Sequence, residues 1–361
     1  KPYLQTVLNS YSEVFFSKNR FFSIVLFIIT FFDWVAGISG LIAVVTALGV
    51  ARWMHFDKTA LINGNFTFNS LLVGLGIGLN YQFNASLVFI VVFASLFTLF
   101  ISVSLQGVIG KYALPYLSIP FLFGIWTTLL ASNNFESLGL SERGIYYLNE
   151  LYVIGGKPLV NFYNWFNALE TPVSLQVYFR SLGAIFFQYN ILSGLLIAVG
   201  LLLYSRIAFS LSIIGFYSAY LFYEFIGADL SALNYSYIGF NYILASIAIG
   251  FFLIPSWQTY LWTVLLIPVL AIITVSLNSV FAIFKLPVYS LPFNMVVLLF
   301  LYVLKFRLNQ YHSLKEVYFQ QYSPEKNLYA AKNAQLRFGN QVNYSIALPF
   351  FGEWKIMQAH D

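Results

Sequence analysis

The sequence predicts an all-α polytopic membrane protein made of two inverted homologous repeats of about five spans each, with re-entrant broken segments. Three observations predict this class: the composition, the long apolar segments and an internal duplication. Of the 361 residues, 60% are hydrophobic and only 9% are charged, whereas soluble domains carry roughly 25% charged residues. A chain with so few charged side chains cannot cover itself with a solvated surface, so the lipid bilayer is its expected environment.

The long apolar segments predict helices that cross the bilayer. A helix needs about 20 apolar residues to span the hydrocarbon core, and several segments approach or exceed that length. They are residues 21–32, 34–53, 86–110, 186–204, 208–223 and 258–281. A membrane β-barrel would show short segments of alternating polarity instead.

The two halves of the chain repeat each other at a nearly constant offset. The segment LPYLSIPF at 114–121 returns as LPVYSLPF at 286–293, and FNSLLVGLGIG at 68–78 returns as FNYILASIAIG at 240–250. Both pairs are 172 positions apart (286 − 114 and 240 − 68). Paired segments interrupted by Gly and Pro are typical of transporters and channels whose pathway lies between the repeats.

The duplication also predicts the domain organisation. The segment EVFFSKN at 13–19 lies over AIFFQYN at 184–190, at an offset of 171 (184 − 13). An odd number of spans in each half inverts the second half and places both termini on one side. The basic residues beyond Tyr302 favour the cytoplasmic side for that end. We expect a first transmembrane repeat at 1–132, an external connector at 133–175, a second repeat at 176–304 and a cytoplasmic tail at 305–361.

Polar segments precede one apolar helix in each half. NGNFTFNS at 63–70 and NYSYIGFN at 234–241 predict a non-helical approach followed by a helix start. Asn69 and Asn241 are expected to be structural caps of the free amides at these starts. Direct contact with a solute is the alternative for both asparagines.

Six apolar side chains are expected to form a narrow slot between the repeats. Two of them lie four residues apart on one helix face in each half, and these two stripes can face each other across a pseudo-twofold axis. The FF segments near the start of each half add two more walls. The six residues are Phe16, Phe68, Leu72, Phe187, Phe240 and Leu244. Ordinary bundle packing or lipid contact is the alternative for each of them.

A serine stands between two prolines in each half, at Ser118 and Ser290. The prolines are expected to kink a helix and to free carbonyl oxygens, which must then face protein or water. With the two hydroxyls, these carbonyls would form a ladder of oxygen atoms for a neutral solute rich in N–H groups. The alternative is that each serine bonds back to its own helix. No charged residue recurs in both halves of this path, which disfavours the passage of an ion.

The FNSLLVG and GFNYILASIAIG segments, each followed by an LPxxSxPF segment, resemble the urea transporter family over about residues 7–304. The resemblance implies a homotrimer in which each subunit carries its own pore. It implies passive, channel-like conduction of urea across the inner (plasma) membrane through the slot described above. It also implies that Ser118 and Ser290 take the places of the family's pore threonines.

The sequence departs from the family pattern at the two mouths of the slot. Glu13 and Ala184 stand where family members carry Gln. An ionised Glu13 can still accept hydrogen bonds from N–H groups but cannot donate any, and it can attract a cation. Ala184 offers no polar group.

The last 21 residues differ from the rest of the chain. QVNYSIALPFFGEWKIMQAHD at 341–361 alternates apolar and polar residues, which predicts soluble β-structure. This tail resembles the opening strands of lysostaphin-type zinc endopeptidase domains, without their HxxxD metal-binding pair. It is interpreted either as the start of a truncated further domain or as a cytoplasmic appendage.

Passive transport of urea is the function that these observations favour, with urea and the lipid bilayer as partners. The alternatives are a channel for a related small neutral solute, such as a short amide or ammonia, and a membrane anchor or sensor for a missing C-terminal domain. The sequence holds no cysteine and its net charge of +5 is concentrated in the tail. The lack of cysteine excludes thiolate metal sites, and a charge carried mostly by the tail is not typical of a nucleic-acid surface. Because the tail lacks the HxxxD pair and is expected in the cytoplasm, we expect no enzymatic activity, and we expect no metal, no cofactor and no nucleic-acid partner.

Overall fold

The computed structural model describes residues 2–142, 147–167, 171–228, 238–307, 314–317 and 323–338. Within these ranges the regular structure is helical, joined by two isolated β-bridges. The prediction of an all-α polytopic protein is confirmed. The predicted β-structure at 341–361 lies outside the described residues.

The helices fall into two similar sets. The first half contains α1 (Pro2–Glu13), α2 (Arg20–Thr30), α3 (Trp34–Trp53), α4 (Lys58–Asn63), α5 (Phe68–Asn80), α6 (Ala85–Ile109), a 3₁₀ turn (Gly110–Tyr112) and α7 (Ile119–Ser132). The helix α8 (Tyr147–Asn167), interrupted at Gly156, lies between the halves. The second half contains α9 (Val173–Ala184), α10 (Ile191–Tyr204), α11 (Arg206–Phe225), α12 (Phe240–Phe252), α13 (Trp257–Ile283) and α14 (Leu291–Leu304), and α15 (Pro324–Phe338) follows.

Corresponding helices in the two sets begin at a nearly constant offset of 171 or 172 residues. The start of α2 lies 171 residues before that of α10 (191 − 20), and the start of α7 lies 172 residues before that of α14 (291 − 119). Five apolar helices recur in this way within the described chain. The domain boundaries and the opposite orientation of the halves in the bilayer stay predictions.

Four of the described helices are long and apolar enough to cross a membrane by length and composition: α3, α6 with its 3₁₀ extension, α11 and α13. Six shorter apolar helices, α2, α5, α7, α10, α12 and α14, have 11 to 14 residues. Each is roughly 17 to 21 Å long, less than the hydrocarbon core of about 30 Å. An end of a short helix that lies at membrane depth must find hydrogen-bond partners within the protein.

The predicted kinks at the paired prolines are wrong. Pro115 and Pro287 lie in non-helical chain, while Pro120 and Pro292 lie in the first turns of α7 and α14. Proline fits there because the amides of the first helical turn have no partner within the helix. The LPxxSxPF segments are therefore sites where a helix begins.

Small residues bring α3 against α5 and α11 against α12. A Cβ atom on Gly74 would lie 2.6 Å from Ala43 Cβ, and one on Gly215 would lie 1.9 Å from Ser246 Oγ. Ala43 and Gly215 are equivalent by the 172-residue offset, and so are Gly74 and Ser246. The glycine has moved from one helix of the pair to the other, so the close helix contact is present in both halves.

Candidate functional site

A cavity of about 380 Å³ lies between the two halves of the protein. All nine predicted pore residues line it: Glu13, Phe16, Phe68, Leu72, Ser118, Phe187, Phe240, Leu244 and Ser290. The structure thus brings together residues that are up to 277 positions apart (290 − 13). We call this cavity the slot.

Two short helices provide the apolar walls of the slot. Phe68 and Leu72 occupy the first two turns of α5, and Phe240 and Leu244 occupy the first two turns of α12. Each leucine is only 6% exposed, so its contribution to the wall is packed tightly among neighbours. Flat aromatic faces and branched aliphatic groups favour a flat solute and disfavour a hydrated ion.

The other two aromatic walls stand on strained turns. Phe16 and Phe187 have φ values of 56° and 60°, in the left-handed region that large side chains rarely adopt. Each follows the end of a helix: the Phe16 amide donates to the Glu13 carbonyl (2.8 Å), and the Phe187 amide donates to the Ala184 carbonyl (3.0 Å). Glycine usually occupies such a position after a helix. Here a phenylalanine at the same point directs a ring into the slot.

The strain recurs beside the two serines. Leu117 and Tyr289, which directly precede Ser118 and Ser290, both have a φ of 48°. Left-handed conformations of residues other than glycine cost roughly 1–2 kcal/mol each. Such outliers cluster at functional sites, and their recurrence in both halves marks this part of the slot.

The two serines contact each other across the interface between the halves. Ser118 Oγ and Ser290 Oγ lie 2.7 Å apart, so one hydroxyl donates to the other. The serines are 7% and 4% exposed and both line the slot. Their hydroxyls are therefore the polar groups that link the two halves at the wall of the cavity.

Asn69 and Asn241 do not cap their own helices. The N-cap residues of α5 and α12 are Thr67 and Gly239, and neither makes a side-chain cap hydrogen bond. Instead, Asn69 Oδ1 accepts from the Phe121 amide of α7 (3.2 Å). Asn241 Oδ1 accepts in the same way from the α14 amide of residue 293 (3.3 Å). Each asparagine caps the helix that starts beside it in space.

Several carbonyls close to the paired prolines accept hydrogen bonds from protein side chains. Asn69 Nδ2 donates to the Leu117 carbonyl (3.1 Å), and Asn241 Nδ2 donates to the Tyr289 carbonyl (3.0 Å). The Trp126 indole donates to the Pro287 carbonyl (2.8 Å). These three carbonyls already bind a side chain of the protein and are not the free acceptors that the predicted oxygen ladder requires.

Further residues that sequence reasoning missed also line the slot. Phe121 and Phe293 follow the paired prolines, and the same 172-residue offset would have found them. The slot also exposes polar groups that have no polar counterpart from the other half in its lining. They are Asn80, Tyr189, Asn278 and Tyr289, which no repeat pattern marks.

The two ends of the slot differ in their polar groups. At the start of α5, the hydroxyl of Thr67 lies 2.6 Å from that of Ser10, which stands one turn before Glu13 in α1. Asn80 ends α5, about 18 Å away along its axis. One turn before it, a Cβ atom on Gly76 would lie 3.2 Å from the ring of Phe187, which packs on Tyr289 with ring centroids 6.0 Å apart. One end therefore carries a carboxyl group, and the end with Ala184 carries an amide and phenols.

A family model for the urea transporter matches residues 4–305. The match covers most of the chain and includes every residue that lines the slot. This chain belongs to the urea transporter family. Members of the family are channels or transporters and not enzymes, and the resemblance seen in the sequence is confirmed. Membership of this family, together with the long apolar helices, identifies this urea transporter as a membrane protein.

One described helix of this urea transporter lies beyond the family match and packs on the matched region. Glu325 Oε1, in the first turn of α15, accepts from Ser205 Oγ (2.9 Å) and from the Ile207 amide at the start of α11 (2.9 Å). Asn327 Nδ2 donates to the carbonyl of Phe251 (3.2 Å). The Phe251 ring in turn stacks on the slot residue Phe16, with centroids 5.0 Å apart.

Proposed function

We propose that this urea transporter conducts urea passively through the slot between its two halves. The observation that carries the proposal is the convergence of the repeated Phe, Leu and Ser residues on one cavity of about 380 Å³. The apolar walls strip water from the solute, and the serine pair supplies hydrogen bonds that offset part of that loss. A neutral, flat molecule fits these walls, whereas dehydrating an ion there would be very costly.

The polar groups at the two ends of the slot support capture of a solute that carries both N–H and C=O groups. Glu13 accepts hydrogen bonds at one end. At the other end, the methyl group of Ala184 offers no hydrogen bond. The side chains of Asn80, Tyr189 and Tyr289 provide donors and acceptors there. The altered ends favour a short amide as the second candidate solute, because the same groups serve one amide edge as well as urea.

The test is solute uptake by proteoliposomes that contain the purified protein. We expect urea to enter faster than glycerol, and the relative rate of acetamide decides the second candidate. A Leu72→Trp change is expected to block urea because the indole fills the slot. Leu265→Trp, at an exposed position of α13, is the matched control. Urea flux that survives in well-folded Leu72→Trp protein would place the pathway elsewhere.

The assembly and location that go with this function are a homotrimer in the inner (plasma) membrane with both termini in the cytoplasm. Each subunit would carry its own slot, because both repeats that contribute to its walls belong to the same chain. The mass of the detergent-solubilised protein measures the assembly, and a mass of one or two subunits contradicts it. A membrane anchor for a further domain is the remaining alternative; it predicts no urea flux above that of protein-free liposomes.

A further inference from the structure

A buried amide lies directly behind the serine pair. Asn294, the fourth residue of α14, is 1% exposed and does not line the slot. Its Nδ2 donates to the Ser290 carbonyl (2.7 Å) and to Ser118 Oγ (2.9 Å). Its Oδ1 accepts from the Ser118 amide (3.0 Å). One side chain of the second half thus holds a serine of the first half by two groups.

The backbone fixes which way this amide points. The Ser118 amide can only donate, so it requires the oxygen of Asn294, and the Ser290 carbonyl can only accept, so it requires the nitrogen. A flipped amide would lose both hydrogen bonds. The nitrogen therefore faces Ser118 Oγ, and that hydroxyl oxygen must act as an acceptor towards Asn294.

Counting protons then gives the hydrogen-bonding pattern that the serine pair offers to the slot. Two hydroxyls have two hydrogens and four lone pairs. Asn294 uses one lone pair of Ser118, and the contact between the serines uses one hydrogen and one lone pair. Both amide hydrogens of Asn294 are taken by its shorter contacts with the Ser290 carbonyl and Ser118 Oγ, so its longer contact with Ser290 Oγ (3.4 Å) is not counted. One hydrogen and two lone pairs remain, whichever serine donates to the other. The pair therefore presents one donor and two acceptors.

We propose that Asn294 is a positioning residue that keeps this one-donor, two-acceptor pattern facing the slot. The pattern complements a solute edge that carries a carbonyl oxygen and N–H groups, as urea and primary amides do. The inference rests on the proposed conduction of urea through the slot. It also breaks the symmetry of the repeat, because the position equivalent to Asn294 is Leu122 (294 − 172).

The decisive variant is Asn294→Asp, which keeps the shape and changes the hydrogens. An ionised carboxylate cannot donate to Ser118 Oγ, so it draws the Ser118 hydrogen away from the slot and leaves acceptors only. A protonated carboxyl has one O–H donor and one acceptor oxygen. When that O–H donates to Ser118 Oγ, the serine pair regains its donor towards the slot, while the Ser290 carbonyl loses the hydrogen that the amide gave it. Losing one such hydrogen bond costs about 1–3 kcal/mol, so we expect urea flux about 5- to 150-fold below the parent when the group is ionised.

Acidification is expected to raise the urea flux towards the parental value in the same preparation of Asn294→Asp protein, which separates the effect from misfolding. Flux is expressed relative to the parent at each pH, because the parent has its own titratable groups. Asn134→Asp, at an exposed site after α7, is the matched control and should follow the parent at every pH. The osmotic permeability to water is measured alongside and should stay at the parental value.

A second variant tests the symmetry of the arrangement. Asn294→Leu should lose urea flux, and the double change Leu122→Asn/Asn294→Leu should recover it, since an amide at position 122 reaches the same pair from the other side. Parental urea flux in both Asn294→Asp and Asn294→Leu would overturn the positioning role. A loss that acid does not reverse, or an equal loss for water and urea, would reduce the role to structural packing and also overturn it. A parent without urea flux would instead reject the proposed function.

Discussion

At the scale of single residues, Ser118 and Ser290 are similar in position and unequal in their partners. Removing the Ser118 hydroxyl leaves the Asn294 nitrogen without its acceptor there, whereas Ser290 has no such close partner behind it apart from a contact of 3.4 Å. We expect Ser118→Ala and Ser290→Ala each to slow urea about 5- to 150-fold, because one hydrogen bond at the barrier is lost. The loss should be larger for Ser118→Ala.

Initial rates of urea uptake in proteoliposomes measure this difference. Serine-to-threonine changes at either position should be mild because the hydroxyl remains. Ser279→Ala, at an exposed position of α13, controls for the loss of a hydroxyl elsewhere. Parental rates in both alanine variants would show that the serine pair contributes only to packing between the halves.

Glu13 makes a second prediction at this scale. The carboxyl accepts hydrogen bonds when ionised and also donates one when protonated, so urea flux through the parent should change with pH. Glu13→Gln carries a donor and an acceptor at every pH and should conduct at the rate that the parent approaches in acid. Ala184→Gln, at the equivalent position, should keep the parental pH dependence. The same pH profile in parent and Glu13→Gln would remove Glu13 from the path.

At the scale of helices, close packing of α11 on α12 depends on Gly215. A Cβ atom there would lie 1.9 Å from Ser246 Oγ and 2.8 Å from the carbonyl oxygen of Tyr242. We expect Gly215→Ala to destabilise the protein by about 1–3 kcal/mol through overpacking.

Thermal unfolding in detergent measures the effect. Gly107→Ala, in α6, is the matched change, because a Cβ atom there meets nothing within 4 Å. That change should raise the unfolding temperature slightly, since alanine is favoured over glycine in helices. If the Gly215→Ala protein unfolds at the parental temperature, α11 and α12 can move apart without a loss of stability, and the close contact at Gly215 is not needed.

The 172-residue offset found the slot residues because both halves fold alike, so residues that recur come together. It did not find Asn80 or Asn294, because each occurs in one half only. The sequence predicts that Asn69 caps α5, because it shows which residue precedes a helix and not which helix starts beside it. The effect of the paired prolines also depends on where a helix begins, which the local sequence does not show.

The polar helix α15 shows a further limit of the sequence. Its residues carry no long apolar face, and the tail was interpreted through the β-like pattern at 341–361, so no helix was predicted there. Two contacts of Glu325 with α11 and one of Asn327 with α12 hold it in place. Such contacts depend on tertiary packing, which local patterns do not report.

At the scale of the whole molecule, α15 is expected to stabilise the transport region. Glu325 accepts from the Ile207 amide in the first turn of α11, where a negative charge is also favoured by the helix dipole. Glu325→Ala should cost about 1 kcal/mol, as the loss of an N-terminal cap does. Lys332→Ala, on an exposed position of the same helix, should be neutral. Equal unfolding temperatures for the two variants would show that α15 rests on the protein without stabilising it.

The strained turns that carry Phe16 and Phe187 also bear on how this slot can change over generations. A phenylalanine codon reaches leucine, isoleucine, valine, serine, tyrosine and cysteine by one base change. Of these six residues, isoleucine and valine are β-branched and therefore fit the left-handed backbone of these turns worst. Two of the six single-base substitutions would thus destabilise the turn. Leu72 and Leu244 lie in regular helices, where the backbone conformation does not exclude β-branched residues. Heritable variation in the width of the slot should therefore accumulate at the leucines first, while the turn aromatics persist.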